Sequence, residues 1–370
     1  MTTPTTPPPP PQQQRHATDC EQDVAAKRSG ENANRADASG EIASDADWST
    51  CFDGLADNGS AVDVLAIYSS LRHAERTVAD YMPFYAGAAV TAAAAATNGG
   101  SERFIDDTCR VTLVEWLVGL CVDQRIASQT LHIAVRLLDA YLATLVTQSS
   151  PPLLLPLERL QLAGVAALWV ASKVEERLAL SANELVYYCA NQYTRAEFVD
   201  MEYDMVVCLR GCVRPVHALD FARIYTAATA TAAAATPPCP RHLRLVTALC
   251  DLAAVYHGSA AAPPSHVAAA AHCVALHALD QRALDAYWRG TPLWRASLPG
   301  CRATRPTAPL PDAAVRAYAI RLHATARRHL HTGPQSTDGG DAAQELRAKH
   351  ADLLAAISIP CCPPCLMLWQ

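Results

Sequence analysis

From Ala61 onward, apolar positions recur at helical steps: Val64, Ile67, Leu71 and Ala74 are spaced by three and four residues. Such spacing keeps them on one face of an α-helix. Beyond Ile105 the chain reads as helix after helix. Arg110 to Cys121 is almost wholly apolar apart from Arg110, Thr112 and Glu115, the pattern of a helix buried on most sides. Thr130 to Val146 is amphipathic, and the stretch Thr147 to Pro156, with three prolines, reads as a loop. Leu157 to Leu178 is the most apolar helix predicted, and its small residues Ala163, Gly164, Ala166 and Ala167 let neighbouring helices come close. Ser181-x-x-Glu184 and Thr194-x-x-Glu197 each fit the capping box that opens a helix. Neither period-two alternation nor hairpin signals interrupt the pattern, so the fold class predicted is all-α.

The same pattern divides the chain. Residues 1–60 are rich in Pro, Gln, Asp, Ala and Asn and carry few aliphatic residues, which predicts a disordered N-terminal arm. An N-terminal helix at 61–85 precedes a low-complexity insertion at 86–104 that ends in Asn-Gly-Gly. Two helical units of about a hundred residues then follow in tandem. Leu137-Leu138-Asp139-Ala140 resembles Leu249-Cys250-Asp251-Leu252, and Ala166 to Ala171 resembles Ala270 to Ala275. The boundaries expected are 105–213 and 214–358, with a flexible tail at 359–370.

Composition removes several function classes. The net charge of −6 argues against a bulk electrostatic grip on nucleic acid. The 14 cysteines are dispersed through apolar helical patterns, and the Thr/Pro/Gln-rich start lacks the features of a secretory signal. Free thiols in a reducing compartment are expected, in the nucleus and/or the cytoplasm. The longest apolar run, Leu160 to Ser172, is too short to cross a bilayer. No Gly-rich phosphate loop, GxSxG elbow or HExxH string occurs. Cys361-Cys362-Pro-Pro-Cys365 lacks a fourth ligand at suitable spacing. No catalytic set, cofactor, metal, nucleic-acid or membrane partner is therefore expected. Among the 30 basic residues only Lys27, Lys173 and Lys349 are lysines. A lysine kept inside a fold against so strong an arginine bias marks a position to inspect.

Leu65 to Met82 looks like the helix that precedes the first box of A- and B-type cyclins. Arg110-Val-Thr-Leu-Val-Glu-Trp-Leu-Val118 is similar to the start of the cyclin box, and Thr130 to Asp139 to its second helix. Gln161 to Glu176, with the string Ala171-Ser-Lys-Val-Glu-Glu176, resembles the third helix. Tyr193-Thr194 with Met201-Glu202 resembles the fifth. The Arg, Asp, Leu, Lys and Glu of the family pattern fall on Arg110, Asp139, Leu162, Lys173 and Glu202. Farther on, Pro264 to Ala271 resembles the third helix of the second cyclin fold, and Leu346 to Pro360 the family's closing segment.

This resemblance implies tandem five-helix cyclin folds and a chain that acts by binding rather than by catalysis. It implies a heterodimer with a cyclin-dependent protein kinase, with Lys173, Val174, Glu176 and Glu202 at the docking surface. An ammonium on a long stem suits carbonyls at a partner helix end, and a carboxylate suits backbone N–H groups. Arg110 and Asp139 would pair inside the box as structure. Cys109, Thr112, Leu113, Trp116 and Gln161 would line a groove for Arg-x-Leu peptides of substrates. Cys109 and Thr112 stand where larger apolar residues are usual, and Gly119 where an acidic residue would meet the peptide arginine. A transcription-associated cyclin, or a cyclin-fold scaffold of transcription initiation, is the alternative; the acidic charge and a tail carrying only Cys20 and Cys51 weigh against the scaffold.

Overall fold

The computed structural model describes residues 61–81, 105–148, 154–232, 240–256, 262–279 and 310–331, all within the unit Phe52–Gln370. The arm at 1–60, the insertion at 86–104, the closing segment at 346–360 and the Cys361-to-Cys365 tail lie outside these residues. Among the described residues there are ten α-helices and no strand. They are α1 (Ala61–Tyr81), α2 (Asp107–Asp123), α3 (Ser128–Gln148), α4 (Leu160–Glu175), α5 (Ala182–Tyr188) and α6 (Arg195–Cys208), followed by α7 (Ala218–Ala232), α8 (Pro240–Tyr256), α9 (Pro264–Leu279) and α10 (Asp312–His331).

Local chemistry sets where the helices start. The Asp106 carboxylate accepts from the backbone N–H of Cys109 at 2.7 Å and opens α2, and that N–H holds its carboxyl below the usual range. Ser181 with Glu184 and Thr194 with Glu197 form complete capping boxes at α5 and α6, as their spacing predicts. The α4 helix is shorter than the apolar run suggests. A single 3-10 turn covers Leu157–Arg159, and the helix stops at Glu175 because Glu176 turns extended. At the end of α6 the chain passes through two consecutive left-handed residues, Arg210 and Gly211.

The first core forms around α4, whose residues Leu160 to Ser172 are buried save Gln161. It packs on α3, α2 and α6. Close approach requires Gly164: a Cβ built there would lie 2.7 Å from Leu113 Cδ2 of α2. The α3 helix is long and apolar enough to cross a membrane by those criteria alone, yet 83% of that span is buried inside the fold, where it serves as a core helix. The second core repeats the plan around α9, whose small residues Ala268 to Ala271 are fully buried against α7, α8 and α10. The sequence repeat thus falls on successive helix pairs, with Asp139 and Asp251 buried on α3 and α8, and the alanine-rich strings on α4 and α9.

Helix α1 packs on α7 rather than standing alone. Tyr68 is buried against Phe221 and Tyr225, with ring centroids 6.2 and 5.8 Å away. Glu75 accepts from the Ser265 backbone N–H and hydroxyl, both at 2.8 Å, and so satisfies donors in the first turn of α9. Burial nonetheless pushes its carboxyl up.

Candidate functional site

Two features occupy the first core's surface: a charged pair between α4 and α6, two helices that also expose apolar side chains, and a half-buried face of α2. The first begins with Lys173 in the last turn of α4, where a cation is favoured by the helix dipole. Its Nζ donates to Glu202 Oε1 of α6 at 2.5 Å, and both side chains remain partly exposed, at 37% and 24%. The same ammonium sits 3.3 Å from the centroid of the Trp169 ring, one helical turn earlier.

The two helices that carry this pair also expose large apolar side chains. Val174 and Leu178 lie exposed at the end of α4 and just beyond it, and Val199, Tyr203 and Val207 are exposed on α6. The last three recur at steps of four, so they form one stripe, distinct from the buried Phe198, Met201 and Met205 that anchor α6 in the core. A helix apolar on two faces uses only one of them for its own fold. The sequence contains this second stripe in plain view, although the core stripe alone explains the helix.

Of the residues expected at a docking surface, Lys173, Val174 and Glu202 stand together here. Glu176 is committed inside the fold. Its Oε1 accepts from the Ala127 backbone N–H at 3.0 Å and from the Thr130 hydroxyl at 2.6 Å, tying the end of α4 to the start of α3.

Arg110 and Asp139 are buried and joined by two hydrogen bonds, Nε to Oδ1 at 2.7 Å and Nη2 to Oδ2 at 2.9 Å. The guanidinium reaches farther than the first core. It also donates to the carbonyls of Val255 at 2.8 Å and Ala254 at 2.9 Å, in the last turn of α8. His132 Nε2 lies 2.9 Å from Asp251 Oδ1, and Tyr256 donates to Glu115 at 2.6 Å. A cavity of about 50 Å³ lies beside these links, bordered by Arg110, His132, Arg136 and His217.

The second surface lies on α2. Cys109 and Trp116 are half-buried, Thr112 is exposed and spends its hydroxyl on the Thr108 carbonyl, and Leu113 is buried against Gly164. Half-buried Gln161 lies one turn before Gly164 on α4. Burial pushes the Cys109 thiol up, away from thiolate chemistry. Among the described residues all cysteines are free, and no three His, Cys, Asp or Glu side chains converge as metal ligands.

Residues 92–213 match the family described as cyclin, N-terminal domain. Cyclin-F of Bos taurus is 29% identical over 170 residues, 46% of this chain and 20% of that protein. Cyclin-A2-2 of Arabidopsis thaliana is 34% identical over 105 residues, 28% of this chain and 22% of that protein. The G2/mitotic-specific cyclin-B3 of Homo sapiens is 32% identical over 121 residues, 33% of this chain and 8% of that protein. This chain therefore spans about a fifth or less of the length of these relatives. A solved viral cyclin from herpesvirus saimiri aligns with a TM-score of 0.41 and 15% identity, over 69% of this chain and 88% of that one. The Lys173–Glu202 surface and the buried Arg110–Asp139 pair both lie inside residues 92–213, the segment that matches the N-terminal domain of cyclins.

Proposed function

We propose that the chain is a regulatory subunit that binds and activates a cyclin-dependent serine/threonine kinase, and so acts on cell-cycle progression. The observation that carries this reading is the Lys173–Glu202 pair held at the surface between two helices, which also expose Val174, Val199, Tyr203 and Val207. Large apolar side chains left exposed beside a charged pair are a usual mark of an interaction surface. On docking, these side chains are withdrawn from water, the ammonium is offered to carbonyls of a partner helix and the carboxylate to its N–H groups. Chemistry then takes place on the partner, whose mobile elements the docked surface holds in an active arrangement. The α2 face with Cys109, Thr112, Leu113, Trp116 and Gln161 serves in this reading as a separate groove for Arg-x-Leu peptides of substrates. The site of action is the nucleus and/or the cytoplasm.

Pull-down of purified cyclin-dependent kinases by the tagged chain, with histone phosphorylation as readout, tests the proposal. Retention of a kinase together with a gain in its activity is expected. Loss of that retention in a Lys173→Ala/Glu202→Ala variant assigns the surface; an unchanged retention removes it.

A further inference from the structure

Lys173 is held from two sides, and only one of them is a charge. The Trp169 ring under its ammonium is itself fixed. The indole is 8% exposed, and Nε1 donates to the Leu180 carbonyl at 2.8 Å in the loop leading to α5. The Ser172 hydroxyl donates to the Trp169 carbonyl at 2.8 Å and accepts from the Leu180 N–H at 3.4 Å, tying that loop back to α4. The ring is therefore oriented by its own hydrogen bond to the Leu180 carbonyl, and Ser172 holds Leu180 against α4, independently of Lys173.

A lysine head on four methylenes is otherwise a mobile group, and holding it in one place before a partner arrives reduces the entropy lost on binding. The i, i+4 relation of Trp169 and Lys173 sets the stem along the helix and the ammonium over the ring face, where the ring quadrupole attracts a cation. Glu202 then draws the ammonium towards α6. Ring and carboxylate leave it partly exposed.

We propose that Trp169 is a positioning residue for kinase docking, acting through Lys173 by holding its ammonium in the binding geometry before the partner arrives. This inference rests on the kinase-binding reading of the same surface. It assigns a role to a residue that the apolar periodicity of α4 places simply in the core. The ammonium is expected to stay over the indole when the partner helix docks, so that Trp169 contributes to affinity without touching the partner.

The chain's lysine scarcity makes a direct measurement practical. With 13C-labelled lysine, three side-chain signals are expected, from Lys27, Lys173 and Lys349. The ε-methylene protons of Lys173 should be shifted upfield by the indole ring current, and should return to the ordinary lysine position in Trp169→Leu. Thermal melts of the variant confirm that it is folded. Affinity for the kinase is then measured in a double-mutant cycle. Trp169→Leu should weaken binding by about two- to five-fold in the native chain. It should have no further effect in a Lys173→Met background, whereas a purely structural role would weaken both alike. Trp169→Phe, which keeps a ring face, should recover part of the loss. An unshifted Lys173 signal in the free chain, or equal losses in both backgrounds, overturns the inference while leaving kinase binding intact. Absence of kinase binding by the native chain overturns the docking reading, and the role of Trp169 with it, even if Lys173 keeps its ring-current shift.

Discussion

Arg110 and Asp139 form a buried, two-pronged ion pair, and the same guanidinium closes the carbonyl end of α8 through Ala254 and Val255. One side chain on α2 therefore fixes α3 and the last turn of α8 at once. Removing one member of such a pair leaves the other charge buried and uncompensated, at a cost of about 3–5 kcal/mol. Asp139→Asn and Arg110→Met should each lower stability by that amount in urea unfolding. Arg110→Met should also loosen hydrogen exchange at the end of α8, because it orphans two carbonyls there. The double variant Arg110→Met/Asp139→Leu should lose clearly less than the sum of the two. Additive losses would show that the two side chains act independently.

The surface pair behaves differently. Lys173 and Glu202 are partly exposed, and exposed pairs contribute about 0–1 kcal/mol to stability. Charge-assisted hydrogen bonds to a partner are worth about 1.5–3 kcal/mol each, or a ten- to hundred-fold change in affinity. Lys173→Ala should therefore weaken kinase binding by about that factor while leaving the melting temperature within a degree or two. Titration calorimetry alongside a melt separates the two effects. A variant that melts early and binds normally would place Lys173 in the structure and not in the interface.

How far the sequence alone reveals this depends on how local each interaction is. Capping at Ser181 and Thr194 is decided within three residues, so both helix starts are legible. The extent of α4 is not. The predicted helix runs to Leu178, but the chain turns at Glu176, whose carboxylate is taken up at Ala127 and Thr130 far back in the sequence. The pairing of Arg110 with Asp139 is implied by the family resemblance, yet the second set of Arg110 partners lies more than a hundred residues away, where no periodicity points. Lys173 is legible because lysine is scarce. Trp169 is hidden, since a tryptophan in an apolar helix fits a core equally well; its platform role needs the Leu180 carbonyl and the Lys173 ammonium in space.

Acid should destabilise the fold. Burial lowers the pKa of His242, His266 and His323 to about 4 and holds that of His217 and His272 well below the usual histidine value, and at His217 the neighbouring His132, Arg214, Arg223 and Arg136 add to the effect. An unfolded histidine titrates near pH 6.5, so between about 6.5 and 4 the unfolded chain binds more protons than the folded one. Stability is then full above about pH 6.5 and is lost as the pH falls towards 4. Glu75, with its carboxyl raised by burial, works in the opposite direction, one group against five. Melting temperatures from pH 8 to pH 5 should fall steadily below about 6.5. His242→Asn, which removes the ring that lies 3.0 Å from His272, should flatten that slope. A melting temperature that holds constant down to pH 5 would contradict this.

The two surfaces of the first core should be separable through Gly164. Its missing side chain lets Leu113 lie against α4, and a Cβ there would come within 2.7 Å of Leu113 Cδ2. Gly164→Val places three carbons in that space, so Leu113 must leave its position and carry α2 outward with it. Overpacking of this kind costs about 1–3 kcal/mol, visible as a lower urea midpoint. Leu113 shares the α2 face with Trp116, while Lys173 and Glu202 lie at the far end of α4 and on α6. In the native fold, Trp116→Ala removes a half-buried ring from α2. Binding of a fluorescent Arg-x-Leu peptide should therefore be lost or weakened at least ten-fold in Trp116→Ala, with kinase affinity unchanged. Gly164→Val should weaken the peptide as well, at a lower stability, and a Leu113→Ala change in the same chain should restore much of that stability by making room for the valine. Equal loss of kinase and peptide binding in Trp116→Ala would mean that α2 and the α4–α6 surface work as one site.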